Sequence, residues 1–199
     1  MIPVVAQPEP AEFDAQVRQP GLAQLVRDNV PANGPPPKNY KFKATWQGIW
    51  NRVLWDTYSG TCAYLAIYFE FATGASSTDH FIPKSLSAGL AYEWDNYRLS
   101  SLAPNRRKNA RTILDPFTMQ AGTFHLNLMT GEIYPNPQLL RPVLQLALTT
   151  ISALGLDDAD CRRMRVKHYD EYLSHKVSRP YFQEHSPFVY YEADRQGLL

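Results

Sequence analysis

Cysteine is scarce in this chain, which has only Cys62 and Cys161 among its 199 residues. Two thiols cannot build the disulfide framework of a small secreted domain, and these two lie too far apart in sequence for a zinc knuckle. We therefore expect both thiols to be reduced, as in a cytoplasmic protein.

An excess of charge of either sign is also missing. The 20 basic and 19 acidic side chains leave a formal net charge of +1, so a polyanion would have to bind a local basic patch. No apolar run reaches the length of a membrane span, and residues 1–16 lack the basic start and apolar run of a signal peptide. The sequence predicts a soluble, cytoplasmic protein with no membrane partner.

Proline is concentrated at one end of the chain, because eight of the 16 prolines lie within residues 1–37. Proline fixes φ and lacks an N–H donor, so this segment cannot be continuous regular structure. We interpret residues 1–45 as a proline-rich arm. Phe13 and Val17, four residues apart, predict that a helical turn of the arm docks on the body and stops at Pro20 and Gly21. Residues 46–199 suit one domain with a single core.

The first half of the body predicts a helix followed by a hairpin. Residues 46–60 carry one apolar stripe at helical spacing. The stripe consists of Trp46, Ile49, Trp50, Val53 and Leu54. Residues 62–71 are rich in aromatic and β-branched side chains, and the turn residues after them predict that they pair with the segment that starts at Asp79.

The second half predicts a short helix, another hairpin and two longer helices. Residues 103–111 form the short helix, with Pro104 in its first turn. Residues 123–135 alternate as in a hairpin, and two helices follow within 137–155 and 157–176, the second capped by Asp157. The predicted fold class is α+β, with a core motif at about 62–115 and a second hairpin and C-terminal helical lobe at 123–180.

Residues 76–111 hold the only Asp-His pair of the chain, two isolated asparagines and a cluster of Arg and Lys, in the order "SSTDHFIPKSLSAGLAYEWDNYRLSSLAPNRRKNAR". A hairpin, a loop and a short basic helix in this order resemble the HNH nuclease motif, a ββα unit that holds one metal ion. The match consists of Asp79 and His80 at a strand end, Asn96 on the connecting segment, and Asn105 with Lys108 on the helix.

The wider sequence is similar to bacterial HNH proteins related to the nuclease of the Septu antiphage system. The likeness runs from about Cys62 to the last helix and includes "TGEIYPNP" and "TISALGLDD". It implies a DNA endonuclease that uses one Mg²⁺ or Mn²⁺ ion, acts in antiphage defence and works with an ATPase partner protein.

Zinc is the point at which the chain differs from many HNH proteins. Those proteins brace the motif with two cysteine pairs, whereas the corresponding positions here are Cys62, Leu65, Ser101 and Pro104. One thiolate cannot form a tetrahedral site, so we expect no structural zinc and a hairpin held by packing instead. The side chains expected to supply that packing are Tyr64, Phe81, Trp94 and Leu99.

The chemistry of phosphodiester hydrolysis supports the same roles. It requires an activated water, a divalent ion and fixed geometry for both. Asp79 and Asn105 offer the hard oxygen ligands that Mg²⁺ and Mn²⁺ prefer, and His80, with an unperturbed pKa of roughly 6.5, can accept the proton of the water. We expect Asn96 to orient these groups by bridging across the loop.

Six cations surround these residues and are predicted to bind the phosphate backbone. They are Lys84, Arg98, Arg106, Arg107, Lys108 and Arg111. Taken singly, each feature has a simpler explanation: an Asp-His pair is usually a turn, a basic run is usually a solvated helix face, and single asparagines are usually caps. The ordered set favours a nuclease. An inactive nucleic-acid-binding module of the same fold and an RNA-cleaving nuclease remain the alternatives.

Overall fold

Seven α-helices and two antiparallel β-sheets form the mixed α+β fold of the chain, whose residues 1–199 are all described by the computed structural model. The helices are α1 (Gln19–Arg27), α2 (Ile49–Thr57), α3 (Leu102–Lys108), α4 (Arg141–Leu154), α5 (Ala159–Leu173), α6 (Arg179–His185) and α7 (Pro187–Arg195). The strands are β1 (Ser76–His80), β2 (Tyr97–Ser101), β3 (Phe124–Leu126) and β4 (Ile133–Pro135). The predicted α+β class is confirmed.

The sequence predicts that Pro20 and Gly21 end the helix of the N-terminal arm, but the helix continues through both residues. A π-helical turn at Asp14–Arg18 runs directly into α1, and Pro20 occupies the first turn of α1, where its missing N–H costs nothing. Gly21 packs against the ring of Tyr92, and a Cβ at this position would overlap that ring. The predicted stop is therefore wrong, because glycine here serves close packing.

The arm supplies part of the first of two hydrophobic clusters. Phe13 is fully buried, and its ring meets the rings of Trp50 and Trp94 edge-on, at 5.3 Å between centroids in both cases. Val17 and Leu25 are buried beside it. The arm thus shares a core with α2 and with the residues that precede β2. None of the seven helices is both long and apolar enough to cross a membrane.

The first sheet pairs β1 with β2 and leads directly into α3. The antiparallel register places Asp79 opposite Arg98 and His80 opposite Tyr97, and α3 begins at the residue that follows β2. The predicted pairing of 62–71 with the strand at Asp79 is wrong. That segment folds into a tight turn, in which the N–H of Ala66 donates to the carbonyl of Cys62 at 2.8 Å.

The composition of 62–71 reflects burial and not strand pairing. Cys62, Ala63, Tyr64 and Ala66 are all buried, without the alternation that a half-exposed strand shows. One N–H of the turn, that of Ala63, donates to the carbonyl of Leu99 on β2 at 2.8 Å. The segment therefore packs on the first sheet as a turn.

The second hydrophobic cluster is formed around β3, β4 and the last four helices, and it also includes Met1, Cys62, Tyr64 and Ala66. The hairpin and helix α4 agree with the sequence patterns. Helix α5 is capped at Asp158 and not at Asp157, whose carboxylate instead accepts the N–H of Ile133 at 3.0 Å. Helices α6 and α7 were not predicted from the sequence. A signal for α6 was present in Ser178, which caps the helix with its hydroxyl 3.3 Å from the N atom of Tyr181.

Candidate active site

A cleft of about 440 Å³ lies between the end of β1, the loop that follows it and helix α3. Its polar side chains include those of Asp79, His80, Lys84, Asn105 and Arg106. Residues separated by up to 27 positions in sequence thus share one concave surface. They meet because β2 runs antiparallel beside β1 and leads into α3, so the helix returns across the end of β1.

Asp79 is held at the floor of this cleft by two donors. Its carboxylate is only 4% exposed, and it accepts a short hydrogen bond from the hydroxyl of Tyr64. Lys108 Nζ lies 3.0 Å from Oδ2 and 3.2 Å from Oδ1. Burial raises the pKa of Asp79, while the charge of Lys108 and the hydrogen bond from Tyr64 act in the opposite direction. Oδ1 has a single donor and keeps a free lone pair on the carboxylate.

His80 is enclosed by aromatic rings and fixed in one tautomer. Nε2 lies 3.1 Å from the carbonyl oxygen of Ala91, which can only accept, so Nε2 carries the hydrogen and Nδ1 keeps its lone pair. The edge-on rings of Trp46 and Tyr97 have centroids 4.7 and 5.2 Å away. Burial, followed by the charge of Lys84, lowers the pKa of His80 to about 3. The pKa of His80 thus lies well below its unperturbed value of roughly 6.5, and the imidazole is neutral at physiological pH.

Asn96 positions the loop and does not touch the imidazole. Its Oδ1 accepts the N–H of Ile82 at 2.7 Å, and its Nδ2 donates to the carbonyls of Ile82 at 3.0 Å and Leu90 at 2.8 Å. The side chain thereby ties together the two ends of the loop between β1 and Ala91. Since the carbonyl of Ala91 fixes His80, Asn96 orients the imidazole through the backbone.

Asn105 lines the cleft from the middle of α3. Its Nδ2 donates to the hydroxyl of Ser77 on β1 at 2.5 Å. This bond orients the amide and leaves Oδ1 without a hydrogen-bond donor. Asn105 Oδ1 is thus, like Asp79 Oδ1, an uncommitted oxygen on a residue that lines this cleft.

The six predicted phosphate-binding cations separate into three groups. Lys84 and Arg106 line the cleft. Arg107 forms a 2.7 Å ion pair with Asp158, and Arg111 donates to the carbonyl of Ala153 at 3.3 Å, so both face the helical lobe.

Arg98 and Lys108 leave the predicted phosphate-binding set, because they are 3% and 0% exposed. The guanidinium of Arg98 binds both oxygens of Asp115, at 2.9 and 2.7 Å, and lies 3.5 Å from the ring centroid of Phe117. Buried guanidinium and ammonium groups that are already paired cannot turn toward a phosphate without leaving a carboxylate uncompensated. Both residues hold the fold of the site together.

The candidate cation ligands of the cleft are oxygen atoms, which suit a hard ion. No group of three His, Cys, Asp and Glu side chains capable of holding a metal ion is present. Asp79 and Asn105 offer one carboxylate oxygen and one amide oxygen. Mg²⁺ commonly binds proteins through one or two carboxylates and completes its shell with waters and phosphate oxygens, so two oxygen ligands fit that ion.

Cys62 is a buried, free cysteine whose sulfur accepts hydrogen bonds from the backbone. Its Sγ accepts the N–H groups of Leu65 at 3.5 Å and Ser101 at 3.4 Å. The hydroxyls of Ser100 and Ser101 lie 3.9 Å away. Residues Cys62, Leu65 and Ser101, three of the four positions at which the sequence lacks a zinc site, therefore meet around one sulfur. Of the expected packing residues, Tyr64, Trp94 and Leu99 are buried, whereas Phe81 is only partly buried.

A second cleft, of about 250 Å³, lies between α5 and α6 and holds two of the other histidines. Ser186 Oγ lies 2.5 Å from His168 Nδ1. Ser186 is only 2% exposed, and no carboxylate accepts from the other nitrogen of His168. These contacts lack the ordered nucleophile, base and orienting group of a hydrolytic triad, so this pair is explained by packing of the helical lobe.

No protein-family model matches the chain, and no curated protein matches it in sequence. The candidate site is therefore assigned from its own residues and geometry. Sequence reasoning missed three contributors, which are the hydroxyl of Tyr64, the carbonyl of Ala91 and the ring of Trp46. The sequence patterns predict Tyr64 and Trp46 only as core residues, and the position of a backbone carbonyl cannot be inferred from residue types.

Proposed function

We propose that this protein is a metal-dependent endonuclease of the HNH type that hydrolyses phosphodiester bonds of DNA. The observation that carries the proposal is that Asp79, His80 and Asn105 line one cleft, and that His80 keeps the lone pair of Nδ1 because Nε2 is bonded to the carbonyl of Ala91. The order of β1, β2 and α3 along the chain supports the proposal, because the resemblance implies a ββα unit. Arg106 and Lys84 supply positive charge at the rim.

His80 acts as the general base in this proposal. Nδ1 accepts a proton from the attacking water while Nε2 stays bonded to the carbonyl of Ala91, so the imidazolium that forms keeps that hydrogen bond. A base with a pKa near 3 is weak, and its contribution comes from position more than from basicity. The negative charge of a bound phosphate would raise the pKa of His80 and make proton transfer easier.

Asp79 and Asn105 are the side chains that would hold the divalent ion. When bound, such an ion offsets charge on the phosphate and on the leaving oxygen. Lys108 and Tyr64 keep the carboxylate of Asp79 in place, and Ser77 does the same for the amide of Asn105. This support from neighbouring side chains is what a site needs to hold a ligand geometry.

The test is incubation of the purified protein with supercoiled plasmid and with RNA, in Mg²⁺, Mn²⁺ or EDTA. We expect plasmid nicking or linearisation that depends on the divalent ion. His80→Ala should lower cleavage by about 100-fold to 10,000-fold while DNA binding is retained. His175→Ala, at an exposed position on the far lobe, is the matched control and should cleave like the wild type.

The two alternatives give different results in the same assay. An RNA-cleaving nuclease would degrade RNA and leave the plasmid intact. An inactive binding module would bind DNA but cleave neither substrate with any ion. The resemblance also implies an ATPase partner, so the assay is repeated with proteins that co-purify with the chain. Wild-type cleavage by His80→Ala would reject the proposed mechanism.

A further inference from the structure

The candidate cleft does not end at the metal-binding side chains. It continues into an adjoining cleft of about 630 Å³ along arm residues 36–44, and these two clefts share Trp46, Gln47, Lys84 and Ser85. Another cleft, of about 310 Å³, extends in the opposite direction along β1 and shares Trp46, Gln47 and Thr78 with the candidate cleft. We call the three together the trench.

Charge is distributed unequally along the trench. The arm end carries Lys38 and Lys41, which are exposed and form no salt bridge, and no Asp or Glu lines it. The opposite end is neutral and includes Asn51, Ser76 and Ser77. A nucleic-acid strand that leaves the cleft toward the arm therefore meets positive charge, which a strand that leaves toward β1 does not.

The arm wall is held in place by specific contacts. Gln24 Nε2 donates to the carbonyl of Lys41 at 2.8 Å, and the hydroxyl of Tyr40 donates to Asp28 at 2.8 Å. Phe42 packs edge-on against Tyr40, with 5.0 Å between ring centroids. The arm lysines thus project from a wall anchored to α1 and not from a loose tail.

Lys84 connects this wall to the catalytic cleft. Its Nζ lies 4.7 Å from the ring centroid of Trp46 and 5.5 Å from that of Phe42. The ammonium of Lys84 lies where the candidate cleft meets the adjoining cleft, which Lys41 and Lys38 line along the arm. Aromatic faces beside a row of cations are common in channels that bind single strands.

Resting on the proposed nuclease function, we infer that arm residues 36–44 form a second substrate-binding wall, on which Lys38 and Lys41 contact phosphates of the nucleic acid beyond the scissile bond. The substrate class is a polynucleotide that extends from the cleft toward the arm. A compact phosphodiester confined to the cleft would not reach these lysines.

The test compares two double variants that lose the same charge. Lys38→Gln/Lys41→Gln removes the arm cations, and Arg141→Gln/Lys176→Gln removes two exposed, unpaired cations outside the trench. Binding of a labelled 12-nucleotide strand is followed by fluorescence anisotropy at increasing salt. We expect the arm variant to lower the log-log salt slope by about 1 to 2, since each lost phosphate contact removes roughly 0.7 on single strands. The control variant should keep the wild-type slope.

Equal slopes for the two variants would overturn the inference, because they would mean that only net charge matters. Cleavage provides an independent readout: the ratio of kcat/KM for the oligonucleotide to that for bis(p-nitrophenyl) phosphate should fall at least about 10-fold in the arm variant. An unchanged ratio contradicts the inference even if the enzyme is a nuclease. A wild type that hydrolyses neither substrate rejects the proposed function, and the salt slopes then decide alone whether the arm binds nucleic acid.

Discussion

Lys108 Nζ lies 3.0 Å from Asp79 Oδ2, and both side chains are almost completely withdrawn from solvent. The pair joins the last residue of α3 to the penultimate residue of β1, and Lys108 Nζ also donates to the carbonyl of His80 at 2.9 Å. One ammonium thus fixes the carboxylate that would hold the metal ion and the backbone of the residue that would act as base. Lys108 is a positioning residue for both.

Removal of Lys108 should destabilise the protein strongly. Lys108→Met leaves the carboxylate of Asp79 buried and uncompensated, a change that typically costs about 3 to 5 kcal/mol of unfolding free energy. Protonation of Asp79 relieves this cost, so the deficit should shrink as the pH falls. Urea denaturation at several pH values measures it. Lys108→Met/Asp79→Asn should recover part of the loss, and Lys176→Met is the exposed control. A deficit below about 1 kcal/mol for the single variant would contradict the buried ion pair.

His80 should make the folded state less stable in acid. Its folded pKa of about 3 lies below the unfolded value of roughly 6.5, so the unfolded chain binds the extra proton between these limits. Its full contribution is present above pH 6.5 and is lost as the pH falls toward 3. At pH 5 the loss should be about 2 kcal/mol relative to pH 7. His80→Gln should remove this part of the pH dependence of urea unfolding, whereas His175→Gln should keep it.

Arg106 and Arg107 are neighbours in sequence that should behave differently. Arg106 is exposed and lines the cleft, whereas Arg107 is paired with Asp158 at 2.7 Å. Arg106→Gln should lower the log-log salt slope of duplex DNA binding by about 0.9, the value for one phosphate contact. Arg107→Gln should leave the slope unchanged. If both variants lowered it equally, the helix would act as a diffuse basic face.

Asn105 can be tested by two substitutions with opposite expected results. Asn105→Asp keeps an oxygen ligand and adds a negative charge, and the hydroxyl of Ser77 can donate to it, so Mn²⁺ affinity should be retained or increased. Turnover can still fall, because a tighter ground state does not stabilise the transition state. Asn105→Leu removes the ligand and should weaken Mn²⁺ binding at least about 10-fold. Calorimetric titration with Mn²⁺ distinguishes the two, and equal affinities would exclude Asn105 as a ligand.

Asn96 should control the order of the loop between β1 and β2. Asn96→Ala leaves the N–H of Ile82 and two carbonyls without their side-chain partner, at a cost of about 1 to 3 kcal/mol for each group that stays buried and unpaired. Hydrogen exchange at the Ile82 amide should become faster by at least about 10-fold, even under conditions where the rest of the protein stays protected. Unchanged exchange at Ile82 would show that the loop is held by other contacts.

Local patterns identified the elements whose signals lie within a few residues. Pro104 in the first turn of α3, the alternation at 124–126 and the apolar composition around Pro142 led to helices and a hairpin that the structure contains. The same patterns failed at Pro20 and Gly21, because the space next to Tyr92 and not turn geometry determines that glycine. They also failed at 62–71, where the apolar composition reflects the burial of Cys62, Ala63, Tyr64 and Ala66 and imitates a strand.

The sequence by itself determined which residues of the candidate site could do chemistry, since Asp79, His80, Asn96 and Asn105 stand in an order and on elements that allow those roles. Only the tertiary structure decided which cations remain free. Arg98 and Lys108 look like the rest of a basic run in sequence, yet both are buried and paired with carboxylates distant in the chain. Lys38 and Lys41 instead line the adjoining cleft, from an arm about 40 residues upstream. Ion pairing and cleft continuity depend on contacts between distant segments, which local residue preferences do not encode.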